Sequence, residues 1–75
     1  MKVDVRITLR DGDEAGAVLS ENGIPVDGWD QRPSQIDGYV DVSASLTIPK
    51  GMDHSIGQDV LIANGVDVWS WEVVA

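Results

Sequence analysis

The chain is predicted to fold as an all-β domain, a small barrel or sandwich of about six strands built from two pseudo-equivalent three-stranded units. Three observations predict it: an internal repeat, strict period-two alternation in two long stretches, and two Asn-Gly dipeptides at matching places. Residues 17–30 read AVLSENGIPVDGWD and residues 59–72 read DVLIANGVDVWSWE. Val18/Val60, Leu19/Leu61, Asn22/Asn64, Gly23/Gly65, Val26/Val68 and Trp29/Trp71 are identical pairs. Upstream, residues 3–14 align with 42–53, and the second copy has three extra residues in its loop. A unit of about 30 residues cannot bury its apolar face alone, so a duplicated unit covers itself with its copy. The expected organisation is one domain, 1–75, with copies at 3–30 and 42–72 and a linker at 31–41.

The elements follow in order. Val3, Val5, Ile7 and Leu9 alternate with Lys2, Asp4, Arg6, Thr8 and Arg10, the pattern of a half-buried strand with a partly basic outer face. An acidic turn follows at residues 11–16. Residues 17–21 read as a short strand, and Asn22-Gly23 as a two-residue hairpin in which both residues tolerate positive φ. Residues 24–30 return as a third strand, marked as an edge or a bulge by Pro25 and Gly28. After the polar linker, residues 39–48 place Val40, Val42, Ala44, Leu46 and Ile48 on one face, with Tyr39, Asp41, Ser43, Ser45 and Thr47 opposite. Residues 59–63, the Asn64-Gly65 turn and residues 66–74 repeat the hairpin. The apolar 66–74 stretch is expected to be paired.

Size and composition bound the function. A 75-residue chain buries only about 60% of the surface its unfolded form exposes, and small domains need a staple. There is no cysteine and only one histidine, His54, so neither disulfides nor a thiolate or imidazole metal site supplies it. Association with another chain remains. The net charge of −8 comes from 13 acids, ten of them Asp, against five bases. It disfavours nucleic acid and anionic membrane as direct partners. No apolar run is long enough to span a membrane, and Lys2, Asp4, Arg6 and Arg10 interrupt any secretory signal, so a cytoplasmic or virion-associated protein is expected. Both chain ends are expected to lie in strands or against neighbours.

Trp29 and Trp71 obey the repeat and read as a core pair if a bulge near Gly28 and Ser70 turns them inward, or as exposed platforms if it does not. Trp69 stands where the first copy has Asp27 and is the stronger binding candidate, because Trp buries a large area at low entropic cost. Tyr39 and Asp67 extend that patch, and Asn64 adds an amide. Asp11, Asp13 and Glu14 resemble a fragment of a calcium loop but lack its remaining ligands, with Asp53 in the matching loop; no metal or other cofactor is assigned. Lys2, Arg6 and Arg10 are expected to pair with acids on a neighbouring strand, the alternative being a basic stripe on an acidic body that suits head-to-tail association between copies of the chain. Catalysis finds no nucleophile-base-acid set and no phosphate-binding glycine motif.

The expected role is a non-enzymatic structural or assembly module that docks on protein partners, as a homo-oligomer or on a larger assembly, such as a capsid decoration or fibre-base accessory of a virion. The alternatives are an acidic nucleic-acid mimic that blocks a basic host protein, and a small carbohydrate-binding module.

Overall fold

β1 (Lys2–Arg10) is the strand that alternation predicts: Val3, Val5, Ile7 and Leu9 are buried and their neighbours face outward. The computed structural model describes residues 1–75. It adds α1 (Ala15–Glu21), β2 (Val26–Pro33), β3 (Tyr39–Thr47), α2 (Ser55–Ala63) and β4 (Asp67–Val73). The four strands form one antiparallel sheet in the order β2-β3-β1-β4. β1 and β2 therefore run in one direction with β3 between them, and β3 and β4 in the other with β1 between them. This is the split β-α-β arrangement, two interlocked β-α-β units.

The chain is thus mostly sheet but not all-β. Four strands stand where six were expected, and the two three-stranded units are not found. The stretches read as strands at 17–21 and 59–63 are α1 and α2. The cause is the double meaning of Asn-Gly. In α1 the Gly23 N–H donates to the Ser20 carbonyl and the Ile24 N–H to the Leu19 carbonyl. In α2 Gly65 and Val66 bond to Ile62 and Leu61 in the same way. These are Schellman helix ends, which need positive φ at glycine just as a tight hairpin does. Gly23 and Gly65 have φ of +79° and +78°. Each preceding asparagine donates its amide to a carbonyl four residues back, Asn22 to Val18 and Asn64 to Val60, both at 2.8 Å. The apolar residue after each glycine, Ile24 or Val66, is buried and anchors the exit.

β3 begins at Tyr39, where the alternation predicts it, inside the stretch 31–41. Its first three residues end β2, its last three begin β3, and only residues 34–38 turn between them.

Fourteen buried apolar residues form one cluster between the sheet and the helices. β1 and β3 supply eight of them, α1 gives Ala15 and Leu19, and α2 gives Leu61. The chain ends are tied to this frame. The Met1 carbonyl accepts from the Ile48 N–H, and the Ala75 carbonyl from the Lys2 N–H, both at 2.8 Å. No helix is long and apolar enough to cross a membrane.

Candidate interaction surface

Because both helices pack on one face of the sheet, the other face is uncovered. Strand register arranges its side chains in rows. Arg32, Asp41, Thr8 and Asp67 form one row; Asp30, Ser43, Arg6 and Ser70 the next; Gly28, Ser45, Asp4 and Glu72 the third. The centre is low, because Ser43, Ser45, Ser70 and Gly28 are small. Two shallow concavities result. One of about 230 Å³ lies among Asp4, Arg6, Ser45, Ser70 and Glu72, and one of about 300 Å³ among Arg6, Asp30, Arg32, Asp41 and Trp69. Arg6 and Ser43 border both.

Two bulges shape this face. In β2 the register shifts between Val26 and Gly28, leaving Asp27 as an extra residue. In β4 Ser70 pairs with Arg6 and Val68 with Ile7, leaving Trp69 extra. Each bulge restores inward alternation beyond it, so that Trp29 pairs with inward-facing Ala44 and Trp71 with inward-facing Val5.

The expected aromatic patch therefore splits between the two faces. Trp69 lies on the open face, 54% exposed, with the Arg6 guanidinium 5.9 Å from its ring centroid. Tyr39 lies at the end of the same face, with Arg10 stacked over it at 5.9 Å. Asp67 shares that face opposite Thr8. Trp71 is on the helix side, against the core, its Nε1–H donating to His54 Nδ1 at 3.3 Å. Trp29 lies on the helix side too, beside Gly16, its Nε1–H donating to Gln31 at 3.1 Å. Asn64 is a helix cap, its amide committed to Val60.

Of the three β1 bases expected to pair with acids, only Lys2 does so. Its ammonium lies 2.5 Å from Asp27, reaching past β3 to the β2 bulge, and Thr47 donates to the same carboxylate. These two contacts hold the Asp27 carboxyl below the usual range, the lysine hydrogen bond being the larger cause. Arg6 and Arg10 meet aromatic rings instead, and neither forms an ion pair. The Arg6–Trp69 stack contributes roughly 0.5–1 kcal/mol at an exposed site and leaves the guanidinium edge available for hydrogen bonding.

No three carboxylate or imidazole groups converge as metal ligands do. Asp53 instead accepts from the Ser55 backbone N–H at 3.0 Å and the Ser55 hydroxyl at 2.9 Å, at the start of α2. Those bonds lower its pKa, the backbone donor first.

Charge is divided between the layers. Four of the five bases lie in strands, while the helices and loops hold seven acids against Lys50 alone.

Ser43, Ser45 and Ser70 were not singled out from sequence as site residues, and Arg6 only as part of a basic stripe. The alternation of β1 and β3 had placed Arg6, Ser43 and Ser45 on the polar face, but nothing in it showed that this face would stay uncovered. Against family models, curated proteins and solved structures alike, the chain finds no match.

Proposed function

We propose that this chain is a non-enzymatic interaction module of a larger protein assembly, binding through Trp69 and the uncovered sheet face around Arg6. One observation carries the reading: the bulge in β4 sets a tryptophan, 54% exposed, on the face that no helix covers. A bulge that re-aims one side chain beside a binding surface is a recurrent device, and Trp with Arg is the commonest hot-spot chemistry. A virion accessory protein, decorating a capsid or joining a fibre base, is the assembly we favour for a short, acidic, cysteine-free chain.

The internal repeat belongs with this proposal. Its support is the matched pair of Asn-Gly helix ends and the bulges at Asp27 and Trp69, which the alignment sets opposite each other.

Replacing Trp69 tests the reading. Trp69→Ala should weaken binding, to itself or to an outside partner, by about 2 kcal/mol, roughly 30-fold. Its thermal midpoint should stay within a few degrees of the parent. Biosensor titration with calorimetry reads both. A collapsed midpoint with unchanged binding would make Trp69 structural and end the proposal.

The charge division favours a second reading, in which the acidic helical layer mimics nucleic acid in a basic groove. Binding that fades steeply with salt would select it, and binding that survives salt would select the Trp69 surface.

A further inference from the structure

We propose that the outer edge of β4 accepts an extended segment of a partner protein, one that alternates basic with apolar side chains and adds to the sheet as a fifth strand beside Glu72 and Val73. This inference rests on the interaction-module reading and names the chemistry of the partner.

The sheet has two free edges. Each carries a bulge, at Asp27 in β2 and at Trp69 in β4, and each runs in regular register beyond it. Past its bulge β2 presents Asp30 and Arg32 and ends in Pro33. Charges and prolines are usual means by which an edge is blocked. Past its own bulge β4 has no proline, and from Ser70 to Ala75 its only charged side chain is Glu72. The Val74 N–H donates to the Lys2 carbonyl on β1, so strand alternation turns the N–H and carbonyl of Trp71 and of Val73 outward. No turn or loop backbone group bonds to any of these four. They are the ladder that an incoming strand needs.

The bulge fixes which side chains flank that ladder on each face. Trp69, Ser70 and Glu72 lie on the open face, and Trp71 and Val73 on the helix side. Val73 and Val74 are both exposed, and alternation sets them on opposite faces. α2 packs against β4 and leaves Ile56 and Ile62 exposed. A strand laid beside Ser70–Val74 covers apolar surface on both faces while it pairs the backbone.

Charge selects the occupant. Residues 51–75, which hold α2 and β4, contain Asp53, Asp59, Asp67 and Glu72 and no lysine or arginine. The bases of β1 nearest to β4 are engaged elsewhere: Lys2 reaches across to Asp27, and Arg6 stacks on Trp69. Glu72 forms no ion pair. A second copy would bring the same two strand acids, on a chain of net charge −8, against this edge. A segment alternating bases with apolar residues places a base beside Glu72 on the open face and an apolar side chain beside Val73 on the helix side. In strand addition of this kind the backbone ladder supplies affinity and the alternate side chains supply specificity.

Two synthetic peptides test it, one alternating Lys with Val and one alternating Glu with Val, each titrated into the full chain and followed by amide hydrogen exchange. The Lys-Val peptide should slow exchange at Trp71 and Val73, and the Glu-Val peptide should not. Glu72→Lys, an exposed change on the open face, should weaken docking of the Lys-Val peptide about tenfold. Val73→Pro removes one outward N–H, keeps the net charge and spares the bonds to β1, so it should abolish docking with the sheet intact by circular dichroism. That variant separates strand addition from a diffuse attraction between a basic peptide and an acidic chain. No docking by the Lys-Val peptide, equal docking by the Glu-Val peptide, or docking indifferent to Glu72→Lys or to Val73→Pro would overturn the inference. So would slowed exchange at Trp71 and Val73 in the chain alone that rises with its concentration, which would seat a second copy there. The Trp69→Ala comparison judges the interaction reading separately, since it covers any partner and also reads folding.

Discussion

The two β-α-β halves use the same bends for different ends. Each has a bulge one residue after an inward valine, Val26 or Val68, and each is followed two residues later by a tryptophan on the helix side. In the first half the bulge residue is Asp27, which closes a contact inside the molecule with Lys2 and Thr47. In the second it is Trp69, which faces solvent over Arg6. The two helix-side tryptophans differ as well. Trp29 lies loosely over Gly16, where a Cβ would sit 3.7 Å from its ring. Trp71 is pressed into α2, and a Cβ on Gly57 would come within 2.7 Å of its ring and 3.0 Å of Ile24. The first half spends its polar bulge on its own closure. The second half fixes one tryptophan tightly in the core and leaves its neighbour outside, so binding candidates concentrate there.

The sharpest way to break this comparison is to remove each helix-side ring. Trp71→Ala should cost about 3 kcal/mol or more, because the ring fills space between α2 and the core and holds His54. Trp29→Ala, at a more exposed ring, should cost about 1 kcal/mol. Thermal denaturation separates them, since each kcal/mol moves the midpoint of a domain this size by about 4–8 °C. Equal losses would mean that the halves are packed alike.

A methyl group should sharpen the contrast by changing its sign. Gly57→Ala should destabilise by roughly 1–3 kcal/mol through overlap with Trp71. Gly16→Ala meets only ordinary contact with Trp29 and should stabilise by up to about 1 kcal/mol through helix propensity. Urea titration of both variants reads the two signs directly.

The smallest effect is in pH. Asp27 in the first half and Asp53 in the second both have carboxyls held below their ordinary range. A depressed folded-state pKa gives stability that is present above the unfolded value, near 4, and is lost as pH falls through the folded value. The midpoint should therefore decline below about pH 4. Asn replacement of either residue should flatten that decline partly, and replacement of both should flatten it further.

Much of the sheet could be read directly from residue order. β1 and β3 show period two because one face of each is buried and the other is not. The helices were hidden because they are short, of seven and nine residues, and α2 is rich in β-branched Val60, Ile56 and Ile62. Their Asn-Gly ends carry a signal shared with hairpins. Spacing held a fainter clue: Ala15 with Leu19, and Gly57 with Leu61, are the buried i, i+4 pairs of helices. At the candidate surface, Trp69 stood out by breaking the repeat, and in β2 Gly28 hinted at the bulge at Asp27. The separation of Trp69 from Trp71 across the sheet was not readable as a fact, because one extra residue inverts the alternation and no residue type in β4 marks where it falls.

The position of β1 governs the order of assembly. β1 lies at the inside of the sheet, hydrogen-bonded to β3 and β4, which both follow it in the chain, from Tyr39 to Val73. Neither partner of β1 exists until later synthesis supplies it, and β2 cannot attach until β3 has arrived. Pairing must wait for β3, after which β1, β2 and β3 can join and β4 adds at the edge, by long-range contacts that are slow to find. During that interval the apolar face of β1 depends on staying unpaired with other nascent chains, a task for which its alternating Lys2, Asp4, Arg6 and Arg10 are suited.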